Sequence, residues 1–218
     1  MDLVSTTAAG QMDSIYRYQR FIYDATRRYF LLGRTELVRG LKPPQGSRIL
    51  EIGCGTAWNL IRTARCYPDC RLYGIDISTE MLQTAGRAID RAGLRSRISL
   101  AVGDATDFDA ERMFGVARFD RIFVSYAVSM IPDWTRVLRA SERALAPRGQ
   151  IHLVDFGQSE ELPAAFRHLL FAWLARFSVT PRRNIEHTLA DFACTAGFEL
   201  EFVPLYRGYA VRAALCRV

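Results

Sequence analysis

The chain has 218 residues, half of them hydrophobic, and a mean hydropathy of -0.01. This fits one globular domain with a sizeable core, and no segment is apolar for long enough to span a bilayer. The net charge of +6 sits at the flanks: residues 1–48 carry eight Lys/Arg against four Asp/Glu, residues 161–183 carry four against one, and residues 49–160 balance. Such flanks suit an anionic partner, whether a membrane surface, an acidic substrate or nucleic acid, although a single lysine, Lys42, also shows an arginine bias.

The opening MDLVSTTAAGQMDS has no basic stretch leading into an apolar one. No signal peptide is therefore expected, and the cytoplasm is the expected compartment. Residues 11–40 are predicted to form two or so helices, giving a helical cap over 1–47 and a main domain over 48–218. Within them SIYRYQRFIYDATRRYFLLGR interleaves rings with guanidiniums, and Tyr16, Tyr23 and Phe30 recur at intervals of seven on one helix face.

Strand and helix then alternate. RILEIGC (48–54) reads as a buried strand running into glycines, and AWNLIRTARC follows at helical spacing. RLYGIDI (71–77) is a second strand. STEMLQTAGRAIDRAGL is a helix with Ser78 as N-cap and Gly93 as its stop. ISLAVGDA (98–105) and the start of FDRIFVSYAVSM are strands three and four. PDWTRVLRASERALAPRG reads as a helix with Pro132 at its start and Gly149 past its end, and QIHLVDF (150–156) as strand five. This rhythm predicts βαβ units, a parallel sheet covered on both faces and an α/β doubly wound fold. ELPAAFRHLLFAWLARFSV reads as one long helix, a further helix falls near 188–196, and a strand pair closes the chain around Arg207 and Gly208. The five cysteines, Cys54, Cys66, Cys70, Cys194 and Cys216, have no zinc-like spacing. Reduced thiols and no metal are expected.

The sharpest chemical signal is LEIGCGTAWNL. Gly53 and Gly55 leave the first strand at the sheet edge where open α/β sheets bind ligands. Asp76 ends the second strand 21 residues after Gly55 and suits two ribose hydroxyls. GDA (103–105) follows strand three. A dinucleotide site calls for a third glycine near the pyrophosphate, and Trp58 stands there instead. A cofactor without phosphates avoids that obstruction, which points to S-adenosylmethionine over a nicotinamide dinucleotide.

These motifs, over roughly residues 48–156, resemble the class I S-adenosylmethionine-dependent methyltransferases. The resemblance implies a Rossmann-like seven-stranded sheet. It also implies cofactor contacts from Glu51, Gly53, Cys54, Gly55, Asn59, Asp76, Ile77, Met81, Gly103, Asp104, Ala105 and Ser125. VSY (124–126) falls where the methyl group faces its acceptor, which makes Tyr126 the first candidate to orient a nitrogen through its hydroxyl or ring. Where that family usually has GCGTG this chain has GCGTA, so Ala57 departs from it. Asp155, after strand five, either holds the amine or caps a turn, and His152 reads as structural.

The flanks MDSIYRYQRFIYDATRRYFLLGR, VDFGQSEELPAAFRHLLFAWLARFSVTPR and LYRGYA resemble the bacterial BtaB-type enzymes that trimethylate diacylglyceryl-homoserine into a betaine lipid. That resemblance shades into phosphatidylethanolamine N-methyltransferases. It implies a lipid substrate met peripherally at the inner membrane face. Tyr16 and Tyr23 are then candidate catalytic residues beside Tyr126, and Arg20, Met130, Arg207 and Tyr209 candidate substrate contacts. Rings hold a quaternary ammonium and guanidiniums a carboxylate; the bland alternative is that the rings dock the cap on the core. Leu162, Phe166, Leu169, Leu170, Trp173, Leu174 and Phe177 form an apolar stripe in the helix at 161–178, either an interfacial element or a core-facing one. No motif supports nucleic acid as partner. A soluble amine or quinone-like acceptor, and a sensor that binds S-adenosylmethionine without turnover, are the competing readings.

Overall fold

The computed structural model describes residues 30–217. The expected cap helices before Phe30, and with them Tyr16, Arg20 and Tyr23, lie outside the described residues. The elements run α1 (Arg34–Gly40), β1 (Arg48–Ile52), α2 (Trp58–Cys66), β2 (Arg71–Asp76), α3 (Thr79–Arg91), β3 (Ile98–Val102), α4 (Ala110–Phe114), β4 (Phe119–Ser125), α5 (Trp134–Arg143), β5 (Leu145–Phe156), α6 (Ala164–Ala175), α7 (Ile185–Ala196), β6 (Phe198–Leu205) and β7 (Ala210–Arg217).

The strands form one sheet in the order β3-β2-β1-β4-β5-β7-β6. The first five are parallel, and β7 runs antiparallel to both β5 and β6. The expected doubly wound, seven-stranded sheet is thus present. The central strands β1, β2 and β4 are buried along most of their length because both faces are covered, whereas edge strand β6 is mostly half-buried or exposed. Alternate residues serve opposite cores. On β1, Leu50 and Ile52 pack with α4, α5 and α7, while Ile49 packs with α1, α2, α3 and α6; on β4, Ile122 and Val124 face the first layer and Phe123 the second.

Capping follows the sequence closely in α3. Ser78 accepts the Met81 amide at 3.3 Å, and Gly93 takes φ +67° just past the helix. Two readings change. The helix expected to run up to the stop at Gly149 ends at Arg143, because the Ala144 carbonyl accepts the Phe119 amide and Leu145 joins the sheet opposite Phe119. The short α4 is an addition, framed by an Asp109 cap on the Arg112 amide and by Gly115 at φ +65°.

The chain winds outward from β1 to β3, then returns to lay β4 on the other side of β1. The carboxyl ends of β1 and β4 therefore flank the switch point, where such sheets open a crevice.

Candidate active site

The glycine-rich turn after β1 starts the site. Gly53 has φ +70°, and a Cβ there would lie 2.8 Å from the Ala127 Cβ, so glycine permits the close approach to the loop after β4. The Gly53 and Cys54 amides both donate to the Ile75 carbonyl, at 2.9 and 3.0 Å. Asp76 then reaches back. Its Oδ2 accepts the Gly55 amide at 2.8 Å and its Oδ1 the Ser78 amide at 2.9 Å. The carboxylate is fixed in orientation and keeps lone pairs for further donors.

Ala57 occupies left-handed backbone at φ 63°, ψ 21°. An L-residue there costs roughly 1–2 kcal/mol, which is the physical reason glycine suits this place. Trp58 does not face the cavity. The Arg34 guanidinium lies 4.0 Å above its ring and the Arg62 guanidinium 5.3 Å away, so the indole seats the chain that enters α1.

A cavity of about 670 Å³ opens at these strand ends. One half is lined by Gly53, Gly55, Asp76, Ile77, Ser78, Met81, Gly103, Asp104, Ala105 and Thr106. Ile77 leaves a large apolar side chain 74% exposed at it, an open flank that suits the face of a flat ring. The Thr106 amide and hydroxyl each donate to Asp104 Oδ1 at 2.8 Å and hold its carboxyl below the usual range. It is therefore an ionised acceptor near neutral pH. Glu51, Cys54, Asn59 and Ser125 stand behind the wall, buried, with Asn59 donating to Glu51 Oε1 at 2.6 Å. Burial, with the Glu51 and Asp76 carboxylates nearby, pushes the Cys54 thiol well up, which leaves it protonated and unreactive.

The other half is built by Tyr126–Asp133, after β4, and by Arg176, Phe177 and Ser178, after α6. Tyr126 has φ +55° and is buried against Phe156 at a ring distance of 4.6 Å. Its hydroxyl donates to the Leu32 carbonyl at 2.6 Å. That hydroxyl therefore holds the start of the described chain, and burial pushes the phenol well above its ordinary pKa. Asp155 caps the turn beside it: Oδ2 accepts the Ser129 amide at 3.0 Å and Oδ1 the Phe156 amide at 2.7 Å. Burial outweighs these bonds and pushes the carboxyl up to about 6.

Sequence reasoning missed Arg182. Its Nε donates to the Val128 carbonyl at 3.1 Å and its Nη2 to the Ile131 carbonyl at 2.6 Å, while the Thr180 amide donates to Ser129 O at 3.0 Å. These bonds join the two loops of this wall. No pattern in TPRRN distinguishes Arg182 from its solvent-exposed neighbour Arg183. Of the candidate substrate contacts, Met130 lines the cavity and Arg207 and Tyr209 do not. Arg207 is exposed on the turn between β6 and β7 at φ 59°; Tyr209 is buried, with its hydroxyl on the Phe30 carbonyl at 2.9 Å.

Residues 49–149 match the family described as "Methyltransferase domain". The demethylmenaquinone methyltransferase of Listeria welshimeri is 28% identical over 126 residues, which are 57% of this chain and 51% of that protein. The chain thus spans about half the length of the curated relatives it matches. Two solved structures share the architecture. A SAM dependent methyltransferase from Aquifex aeolicus aligns with a TM-score of 0.66 at 15% identity, over 93% of this chain and 98% of that one. A Haemonchus contortus phosphoethanolamine N-methyltransferase 2, in complex with phosphomonomethylethanolamine and S-adenosylhomocysteine, aligns with a TM-score of 0.65 at 18% identity, over 84% and 52%. At such identities the likeness is one of fold. The match to a methyltransferase domain over residues 49–149 thus lies on a mixed seven-stranded sheet of the same fold as these methyltransferase structures.

Proposed function

We propose that the protein is an S-adenosylmethionine-dependent N-methyltransferase acting on a lipid headgroup amine, with diacylglyceryl-homoserine as acceptor and three successive methylations to the betaine lipid. The observation that carries the reading is the course of α6. Its Phe166 and Leu169 are 48% and 70% exposed, and the turn at its far end forms the cavity wall. One element thus joins an apolar surface to the site, as an acceptor with its tails in a bilayer requires.

The cavity residues fit the cofactor. The Gly53–Gly55 turn admits its amino-acid part, the fixed Asp76 carboxylate accepts from ribose, the ionised Asp104 accepts from the adenine amine, and Ile77 flanks the ring. Bound S-adenosylmethionine supplies an electrophilic methyl group on a sulfonium. The acceptor nitrogen must be neutral to attack, so the protein's main task is orientation, where effective molarity is worth roughly 7–11 kcal/mol. Apolar and aromatic walls from Tyr126, Met130 and Phe177 tolerate a nitrogen that loses its N–H groups as it gains methyls.

A second reading has its own support. The curated relatives methylate demethylmenaquinone, and an apolar acceptor wall also suits a quinone-like ring. The deciding experiment follows a labelled methyl group from S-adenosylmethionine into vesicles that carry diacylglyceryl-homoserine, phosphatidylethanolamine or demethylmenaquinone. Label in a trimethylated homoserine lipid is expected. Label in phosphatidylethanolamine alone moves the headgroup, label in the quinone moves the reaction to carbon, and cofactor binding with no labelled product leaves a sensor.

A further inference from the structure

The cavity half formed after β4 and α6 carries two opposite charges that do not meet. Arg176, at the C-cap of α6, and Asp133, at the N-cap of α5, both line it. Asp133 makes no side-chain cap bond to its own helix, and neither residue forms an ion pair among the described residues. The neighbouring charges are engaged. Asp76 is fixed by the Gly55 and Ser78 amides, Asp104 by Thr106, and Arg182 by the carbonyls of Val128 and Ile131. Arg176 is the only cationic side chain that lines the cavity among the described residues.

An unpaired guanidinium facing a cavity selects a planar or tetrahedral oxyanion, which it holds through two parallel N–H bonds. A neutral ligand would strip water from both charges and return nothing, so these charges also select against uncharged acceptors. Met130 and Phe177 on the same wall offer a thioether and a ring to methylated nitrogen.

We propose that this half of the cavity is a zwitterion subsite. It takes the acceptor's anionic group, a carboxylate or a phosphate, on Arg176 and its ammonium toward Asp133. The inference rests on the reading of the cavity as a methyl-acceptor site.

The test titrates the full chain, saturated with S-adenosylhomocysteine, with N,N,N-trimethylhomoserine, with its methyl ester and with phosphocholine, each followed by calorimetry. The wild-type protein is expected to bind the acid or phosphocholine roughly 10- to 100-fold more tightly than the ester, the usual worth of a charged bidentate contact. Arg176→Gln should bring that ratio toward one, and Arg176→Lys should keep part of it. Asp133→Asn should weaken all three ligands alike, since all carry the ammonium. A stronger response to the acid identifies a carboxylate headgroup, and a stronger response to phosphocholine a phosphate. Equal affinity for all three probes, a preference for the anionic probe that survives Arg176→Gln, or no binding of any probe overturns the subsite. The function reading fails separately: Arg176-dependent binding of the acid with no amine methylated in vesicles keeps the subsite and refutes methyl transfer to that amine.

Discussion

Asp155 and His152, three residues apart on β5, are both buried, and burial drives their pKa values in opposite directions. Desolvation, helped by the Arg121 and Arg212 charges, pushes His152 from 6.5 down to about 3. Desolvation pushes Asp155 from 3.8 up to about 6. For His152 the folded state binds fewer protons than the unfolded one between pH 6.5 and 3, so its contribution to stability is lost as the pH falls through that window. For Asp155 the folded state binds more protons between 3.8 and 6, so its contribution is lost as the pH rises. The two slopes oppose each other over the shared range, which masks both in the wild type. His152→Gln removes one of them. Its stability relative to wild type, from urea unfolding, should improve by roughly 2 kcal/mol between pH 6.5 and 5, at about 1.36 kcal/mol per pH unit. A difference that stays constant with pH would show that His152 is not held neutral. That Gly53, Asp76 and Asp104 line one cavity was legible, because each follows or ends a neighbouring parallel strand at a fixed spacing. The turn-capping role of Asp155 was left open, since the same acid at the end of a strand serves a ligand or a backbone equally well.

Arginine does much of the joining between elements. Arg97 donates to the carbonyls of Ala64, Tyr67 and Cys70, with its shortest bond 2.6 Å to Tyr67, and so ties the entry of β3 to the end of α2 and the turn beyond it. Arg121 donates to Leu41 at 2.7 Å and to Lys42 at 3.1 Å, and anchors the chain after α1 to β4. Each uses the planar fork to satisfy several carbonyls at once, which an ammonium on a flexible stem does not reproduce. Arg97→Lys should therefore lower the unfolding free energy by roughly 2–4 kcal/mol, from two or more lost bonds at about 1–2 kcal/mol each. Arg95→Lys, on an exposed residue whose ion pair with Asp90 is 3.6 Å long, should change it little. Equal effects at both sites would remove the clamp argument. The sequence does not single these arginines out, because nothing local separates a guanidinium that meets carbonyls tens of residues away from one in water. The strands and the longer helices were legible from period and caps. The end of α5 was not, because only the pairing of Leu145 with Phe119 decides it.

For the whole molecule, the two basic flanks suggested an anionic partner, and the fold reduces the charge available for one. Arg34 is buried against Trp58 and Arg182 is bound to carbonyls. The apolar stripe of α6 divides in the same way. Leu174 is buried, and Leu170, Trp173 and Phe177 pack on the core, whereas Phe166 and Leu169 remain exposed. The sequence could not make that division, since one helical period serves a core face and a surface face alike. What that stripe leaves for a membrane is a small patch: two apolar side chains, flanked by Arg167 on the same helix. The double change Phe166→Ser, Leu169→Ser should then act on encounter alone. Full burial of such side chains is worth roughly 1.5–3 kcal/mol each, so binding to anionic vesicles should fall at least about tenfold. KM for a vesicle-borne acceptor should rise while kcat and S-adenosylmethionine affinity stay unchanged, and the melting temperature should hold because neither side chain supports the core. If vesicle binding is unaffected, α6 does not meet the lipid. If the melting temperature falls by several degrees, the patch packs against the protein itself, and an acceptor that approaches from solution becomes the better reading.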